Sequence, residues 1–152
     1  MGIDKNAFKS KSEEYETPKE IFEPLKREFN LVLDVCASES NTKMPLYFSK
    51  EQDALTKDWD NNFWMNPPFS RNLKKWVQKA YEESQKGVIG VSILPVRSNT
   101  NWWHKYIIEV KAEVRFLKGE IKFSNQKRGL WLPFAIVIWK SSPLSKILDE
   151  KK

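Results

Sequence analysis

Cysteine and histidine are all but absent from this sequence: Cys36 and His104 are the single examples of each in 152 residues. One cysteine excludes an internal disulfide, and with one histidine beside it there is no four-ligand zinc set, so no metal is expected. Long apolar runs are missing too. A bilayer span needs roughly 18 apolar residues, whereas the longest stretch here, Val88 to Val96, already contains Gly90, Ser92 and Pro95. The N-terminus, MGIDKNAFKSKSEEYE, is charged throughout and has no apolar h-region, so nothing points to export or to a membrane and a cytoplasmic location is expected. Internal repeats and low-complexity segments are also lacking.

What is present is a globular composition, 40% apolar and 30% charged, at a length that suits one ordinary domain with a real core. The net charge of +6 is compatible with binding a polyanion without establishing it. Residues 1–14 are polar and rich in Lys, Ser and Glu, and read as a flexible N-terminal segment. A single domain is expected over 15–140, followed by a polar C-terminal tail over 141–152.

Within that domain Thr17-Pro18-Lys19-Glu20 reads as a helix start, with Thr17 as N-cap, Pro18 at N1 and Glu20 closing a capping box at N3. Ile21, Phe22, Leu25 and Phe29 supply its apolar face, and Pro24 is expected to kink or split it. Leu31 to Val35 is a short buried strand with Asp34 near its C-terminal end. Residues 36–60 have no clear period. Phe63 to Met65 form a second strand, and Leu73, Trp76, Val77, Ala80 and Tyr81 recur at helical spacing until Gly87. Val88 to Leu94 is too continuously apolar for a one-sided sheet. A helix over Asn101 to Glu109 and short strands at 114–117, 121–123 and 134–139 complete the chain. This order predicts an α/β fold with a mostly parallel, twisted sheet and an antiparallel C-terminal edge.

The stretch NNFWMNPPFSRNLKKW, residues 61–76, holds the most specific chemistry. Two adjacent prolines cannot sit inside a helix or a central strand, so Asn66-Pro67-Pro68-Phe69 is a stiff corner at a strand end. Ligands of an open parallel sheet bind at the carboxyl ends of its strands, where Asn66 and Asp34 both fall. For an exocyclic amine such as adenine N6, whose lone pair is delocalised into the ring, two acceptors on its N–H protons draw the nitrogen toward sp³ geometry and free the lone pair. The Asn66 side-chain oxygen and the Pro67 carbonyl are such acceptors, fixed by the prolines, so the gain is preorganisation rather than acid-base power. Phe69 offers a face on which a base can stack, a contact worth ~1–3 kcal/mol. Taken alone, the same corner also reads as a strand-ending turn.

The corner resembles the Asp/Asn-Pro-Pro-Tyr/Phe motif of amino methyltransferases that use S-adenosylmethionine. Together with Glu16-Thr17-Pro18, Leu33-Asp34-Val35-Cys36-Ala37-Ser38, Asn41-Thr42-Lys43, Asp53-Ala54-Leu55 and Asp58-Trp59, it is similar in order to the phage-type DNA N6-adenine methyltransferases. Later blocks, Leu94 to His104 and Phe116 to Phe123, extend the likeness over roughly residues 15–140. The resemblance implies a Rossmann-like methyltransferase fold, S-adenosyl-L-methionine as cofactor and DNA as partner in a bacterial host cell. Catalysis then falls to Asn66, Pro67, Pro68 and Phe69. The cofactor is expected near Thr17, Pro18, Asp34, Cys36 and Ala37. Asp34 would pair with its methionine amino group, and either Asp53 or Asp58 would meet its adenine or ribose. Two departures stand out: no glycine-rich loop follows Asp34, and Glu120 occupies a position where the family usually has arginine.

Candidate phosphate contacts are Arg71, Lys74, Lys75, Arg97, Lys127 and Arg128, each of which also reads as part of a solvated basic face. The bland readings of the others are a helix cap for Thr17-Pro18, a turn residue for Asp34, and exposed positions for Asp53 and Asp58. Trp102 and Trp103 are expected to be core and rim aromatics, and His104 structural. Adenine N6 in a duplex is hidden by pairing, so a flipped base is expected. With little room for a separate recognition domain, sequence preference must come from loops, a partner or a second subunit in a homo-oligomer. Methylation of cytosine N4, and a non-catalytic DNA-binding protein on the same fold, are the alternatives.

Overall fold

The computed structural model describes residues 16–37, 44–69, 72–123 and 132–141. The expectations for 1–14 and for the tail beyond Ser141 fall outside those residues. Six strands, β1 (Leu33–Asp34), β2 (Leu46–Tyr47), β3 (Phe63–Met65), β4 (Gly90–Pro95), β5 (Glu113–Phe116) and β6 (Phe134–Trp139), form one sheet in the order β2-β1-β3-β4-β6-β5. The pairs β1/β2, β1/β3 and β3/β4 are parallel. β6 is antiparallel to both β4 and β5. The antiparallel pairing therefore lies at the C-terminal flank, as expected, with β6 one position in from the edge and β5 running in the same sense as β4.

Period-two alternation divides the strand side chains between two layers. On one face Phe63, Met65, Leu94, Ala135, Val137 and Trp139 meet α2 (Leu73–Ser84) and the third helix. On the other, Trp64, Val91, Ile93, Phe134, Ile136 and Ile138 meet Phe22, Leu25 and Phe29 of α1 (Lys19–Phe29). Burial on both faces is what the unbroken apolar runs of β4 and β6 require. Gly90 is needed for a separate reason: it pairs with Phe63 across β3/β4, and a Cβ there would lie 2.2 Å from the Phe63 ring.

Several local expectations are corrected. Helix α1 begins at Lys19 with Pro18 as N-cap and no side-chain cap, so Thr17 is not the cap and Glu20 closes no capping box. The Pro18 carbonyl receives the N–H groups of Ile21 and Phe22 instead, at 3.0 and 3.1 Å. Pro24 does not split α1; it is exposed, so water can serve the Glu20 carbonyl that its missing N–H leaves over. The third helix, α3, spans Asn101–Trp103 and widens into a π turn over His104–Ile108. Thr100 caps it by accepting the Trp103 N–H at 3.3 Å. Ile121 to Phe123 make no strand beyond a single bridge at Ile121, although both apolar side chains are buried on the α1 side. Strand β2 and the two 3₁₀ turns at Lys50–Gln52 and Ala54–Thr56 occupy the stretch where no period was legible.

Candidate active site

β1 and β3 are neighbours, with Asp34 opposite Trp64. Their carboxyl ends consequently deliver the Asp34-Val35-Cys36-Ala37 turn and the Asn66-Pro67-Pro68-Phe69 corner to the same edge of the sheet. Val35 donates its N–H to the Trp64 carbonyl at 3.2 Å, and Ala37 donates to Phe48 beyond β2 at 3.1 Å, which ties the turn to both flanking strands. From β4, the buried Ser92 hydroxyl donates to the Met65 carbonyl at 2.8 Å and so holds the residue before the corner.

The side chains of the turn carry the electrostatics. Asp34 accepts the Cys36 backbone N–H at 3.0 Å. Burial pushes its carboxyl up to about 6, against the pull of that N–H. No lysine or arginine among the described residues forms an ion pair with it. The Cys36 thiol is pushed well up by burial and by the Asp34 charge, opposed by the Asn66 backbone N–H that faces the sulfur. A thiol held neutral in this way is no nucleophile. A half-buried carboxylate without a cation of its own suits a ligand that brings one, such as the amino group of a methionine moiety.

At the corner, Asn66 is half-buried and donates from Nδ2 to the Thr17 hydroxyl at 3.1 Å. Pro67 is buried and Pro68 half-buried. The Phe69 ring is braced by Phe134, with centroids 5.4 Å apart, and by Phe123 at 6.0 Å. Phe123 and Phe134 in turn pack edge to face at 5.3 Å. This aromatic brace was not legible beforehand, since its members come from three separate segments. The Thr17–Asn66 contact was missed for the same reason, and because Thr before Pro had an adequate explanation as a cap.

The other candidates divide by position. Lys74 and Lys75 are exposed in the first turn of α2, directly after the corner, and Arg97 is half-buried just beyond β4, so all three stand at the carboxyl edge. Glu120 is exposed in the turn after β5, beside Gly119 with φ of 79°. Asp53 is exposed in a left-handed conformation between the two 3₁₀ turns, along the path leaving β2. Asp58 is not brought to this edge. It pairs with Lys86 at 3.4 Å beyond the C-terminus of α2, where β3 and β4 begin. Arg71, Lys127 and Arg128 lie outside the described residues. Trp102 and Trp103 are core aromatics, and the exposed His104 ring donates to the Ser98 carbonyl at 2.7 Å, a structural contact. No helix among the described residues is long and apolar enough to cross a membrane.

Comparison with known proteins gives a consistent result. The family model described as DNA N-6-adenine-methyltransferase (Dam) matches residues 4–131. A DNA N-6-adenine-methyltransferase of Haemophilus phage HP1 is 32% identical over 127 residues, covering 82% of this chain and 73% of that protein. A protein of the same description from Escherichia phage T1 is 32% identical over 92 residues, covering 59% of this chain and 38% of that one. With the model covering most of its length, this chain belongs to the DNA N-6-adenine-methyltransferase (Dam) family.

Proposed function

We propose that this protein transfers a methyl group from S-adenosyl-L-methionine to the N6 amine of adenine in DNA, on a Rossmann-like methyltransferase fold. The observation that carries this reading is the juxtaposition of a half-buried carboxylate, Asp34, which has no cation partner among the described residues, with an Asn-Pro-Pro-Phe corner on the adjacent parallel strand. The cofactor supplies the methyl group. Asp34 holds its amino group, the backbone of Cys36 and Ala37 lines the turn beside it, and the Thr17-Pro18 start of α1 forms the opposite wall. Of the two aspartates considered for its adenine or ribose, Asp53 is the one on the path from the carboxyl edge, whereas Asp58 is held at the other end by Lys86.

The chain's own residues do the rest. The Asn66 side-chain oxygen and the Pro67 carbonyl accept the two N–H protons of the target amine, and the adjoining Pro68 keeps that carbonyl from turning. The extruded base stacks on Phe69, whose brace by Phe123 and Phe134 makes the platform rigid. Lys74, Lys75 and Arg97, with Arg71, Lys127 and Arg128, supply phosphate contacts. The family membership and the names of the phage relatives support adenine as the base.

The test is methyl transfer from labelled S-adenosylmethionine to unmethylated DNA, followed by nucleoside digestion and mass spectrometry. N6-methyladenine is expected from wild type, with Asn66→Ala lowering the rate by about 10²–10³-fold, as for loss of one preorganised polar group. N4-methylcytosine in the digest moves the substrate to cytosine. Salt-sensitive DNA binding without cofactor binding makes this a DNA-binding protein on the same fold.

A further inference from the structure

We infer that Thr17 is a positioning residue that holds the Asn66 side chain in place. The inference rests on the proposed role of Asn66 as an acceptor for the target amine. A primary amide has two ends of nearly equal size and opposite polarity, and only the oxygen end can accept an N–H proton. The opposite orientation would confront the amine with two further donors. Some group must therefore fix the amide in place.

Thr17 is the residue that does so, its Oγ1 accepting from Nδ2 at 3.1 Å across 49 positions of sequence. Held there, the amide turns its oxygen end away from α1. The holder is itself firmly placed. Thr17 is only 6% exposed. It precedes Pro18, which restricts its backbone, and Pro18 is anchored by the two amides of α1 that its carbonyl receives. A β-branched side chain also has little freedom at χ1. The hydroxyl is not occupied in capping α1, a role that Pro18 takes instead.

In this assignment the Thr17 hydroxyl serves Asn66 and leaves the cofactor wall to Pro18 and the backbone, and a hydroxyl that touched cofactor instead would give different kinetics. Thr17→Val removes the hydroxyl and keeps the shape. We expect its kcat to fall about tenfold or more, with cofactor Kd and DNA KM within twofold of wild type and the melting temperature little changed. Thr17→Ser should restore kcat. A second readout does not depend on turnover. In ¹⁵N-labelled protein the Asn66 side-chain amide signals should shift in Thr17→Val and stay in place in Thr17→Ser. Unchanged kcat with weakened cofactor binding overturns the positioning role and leaves the methyltransferase reading intact. Unchanged Asn66 signals in Thr17→Val overturn it even if wild type methylates no DNA, an outcome that by itself counts only against the reaction.

Discussion

Asp34 receives the backbone N–H of Cys36 at 3.0 Å and is nonetheless held above its ordinary titration range, because burial outweighs that one hydrogen bond. The folded-state value of about 6 exceeds the ordinary 3.8, so the stability linked to its proton is complete below 3.8 and lost as pH rises through 6. At pH 7 the ionised side chain then costs on the order of 3 kcal/mol. Asp34→Asn is expected to be more stable than wild type at pH 7.5, with the gap closing toward pH 4.5 in urea titrations. Cofactor affinity should behave in the opposite sense: calorimetry is expected to show wild-type affinity falling about tenfold per pH unit below 6, and Asp34→Asn binding weakly throughout.

Gly90 faces Phe63 with no room for a methyl group. Gly90→Ala forces the ring or strand β4 to move, at a cost of about 1–3 kcal/mol, the range for overpacked cores. A lowered denaturation midpoint with an unchanged slope is the expected result. Combining it with Phe63→Leu should recover part of the loss, because the clash is with the ring itself.

Lys74 and Lys75 occupy the first turn of α2, which has no acidic residue and where the helix dipole disfavours positive charge. Replacing both with alanine should raise the melting temperature slightly and weaken DNA binding. The slope of log affinity against log salt should fall by about 0.9 for each phosphate contact removed. Glu120→Arg should change affinity and slope in the other direction. Equal salt slopes for all three proteins would remove these positions from the DNA interface.

Phe123→Leu keeps an apolar side chain but removes the ring that packs against both Phe69 and Phe134. Aromatic pairs contribute about 0.5–1.5 kcal/mol beyond their buried area, so stability should drop by at least that much. A several-fold higher KM for DNA, with cofactor Kd unchanged, is expected if Phe69 is the stacking platform. Fluorescence of 2-aminopurine at the target position would report the loosened base.

The parts of this fold that were readable in advance are those whose side chains have one environment. β4 and β6 are apolar on consecutive residues because both faces are covered, and α2 repeats its apolar residues every three or four positions because one side is. Residues 44–60 gave no such signal: β2 is only Leu46 and Tyr47 on the sheet edge, with Leu46 exposed, and the turns that follow present mainly polar residues. The candidate site could be proposed from sequence where its motif is contiguous, as at Asn66 to Phe69. It was illegible where chemistry depends on distant partners. Thr17 beside a proline satisfied a local rule for helix capping, and only the fold shows its hydroxyl engaged by an amide 49 residues away. Asp58 illustrates the reverse, since proximity in sequence to Asp53 said nothing about the two lying on a path that crosses the sheet.

β6 joins β4 to β5, yet among the described residues it is the last of the six strands in chain order. During synthesis the sheet must therefore wait with its interior incomplete: β5 has no strand partner, and one side of β4 stays open, until residues 134–139 have left the ribosome. Phe134, which backs the ring of Phe69, arrives in the same step. Synthesis of β6 thus completes the hydrophobic support of the Asn-Pro-Pro-Phe corner, and a nascent chain stalled before Phe134 would expose the unpaired edges of β4 and β5 and leave the Phe69 ring without that backing.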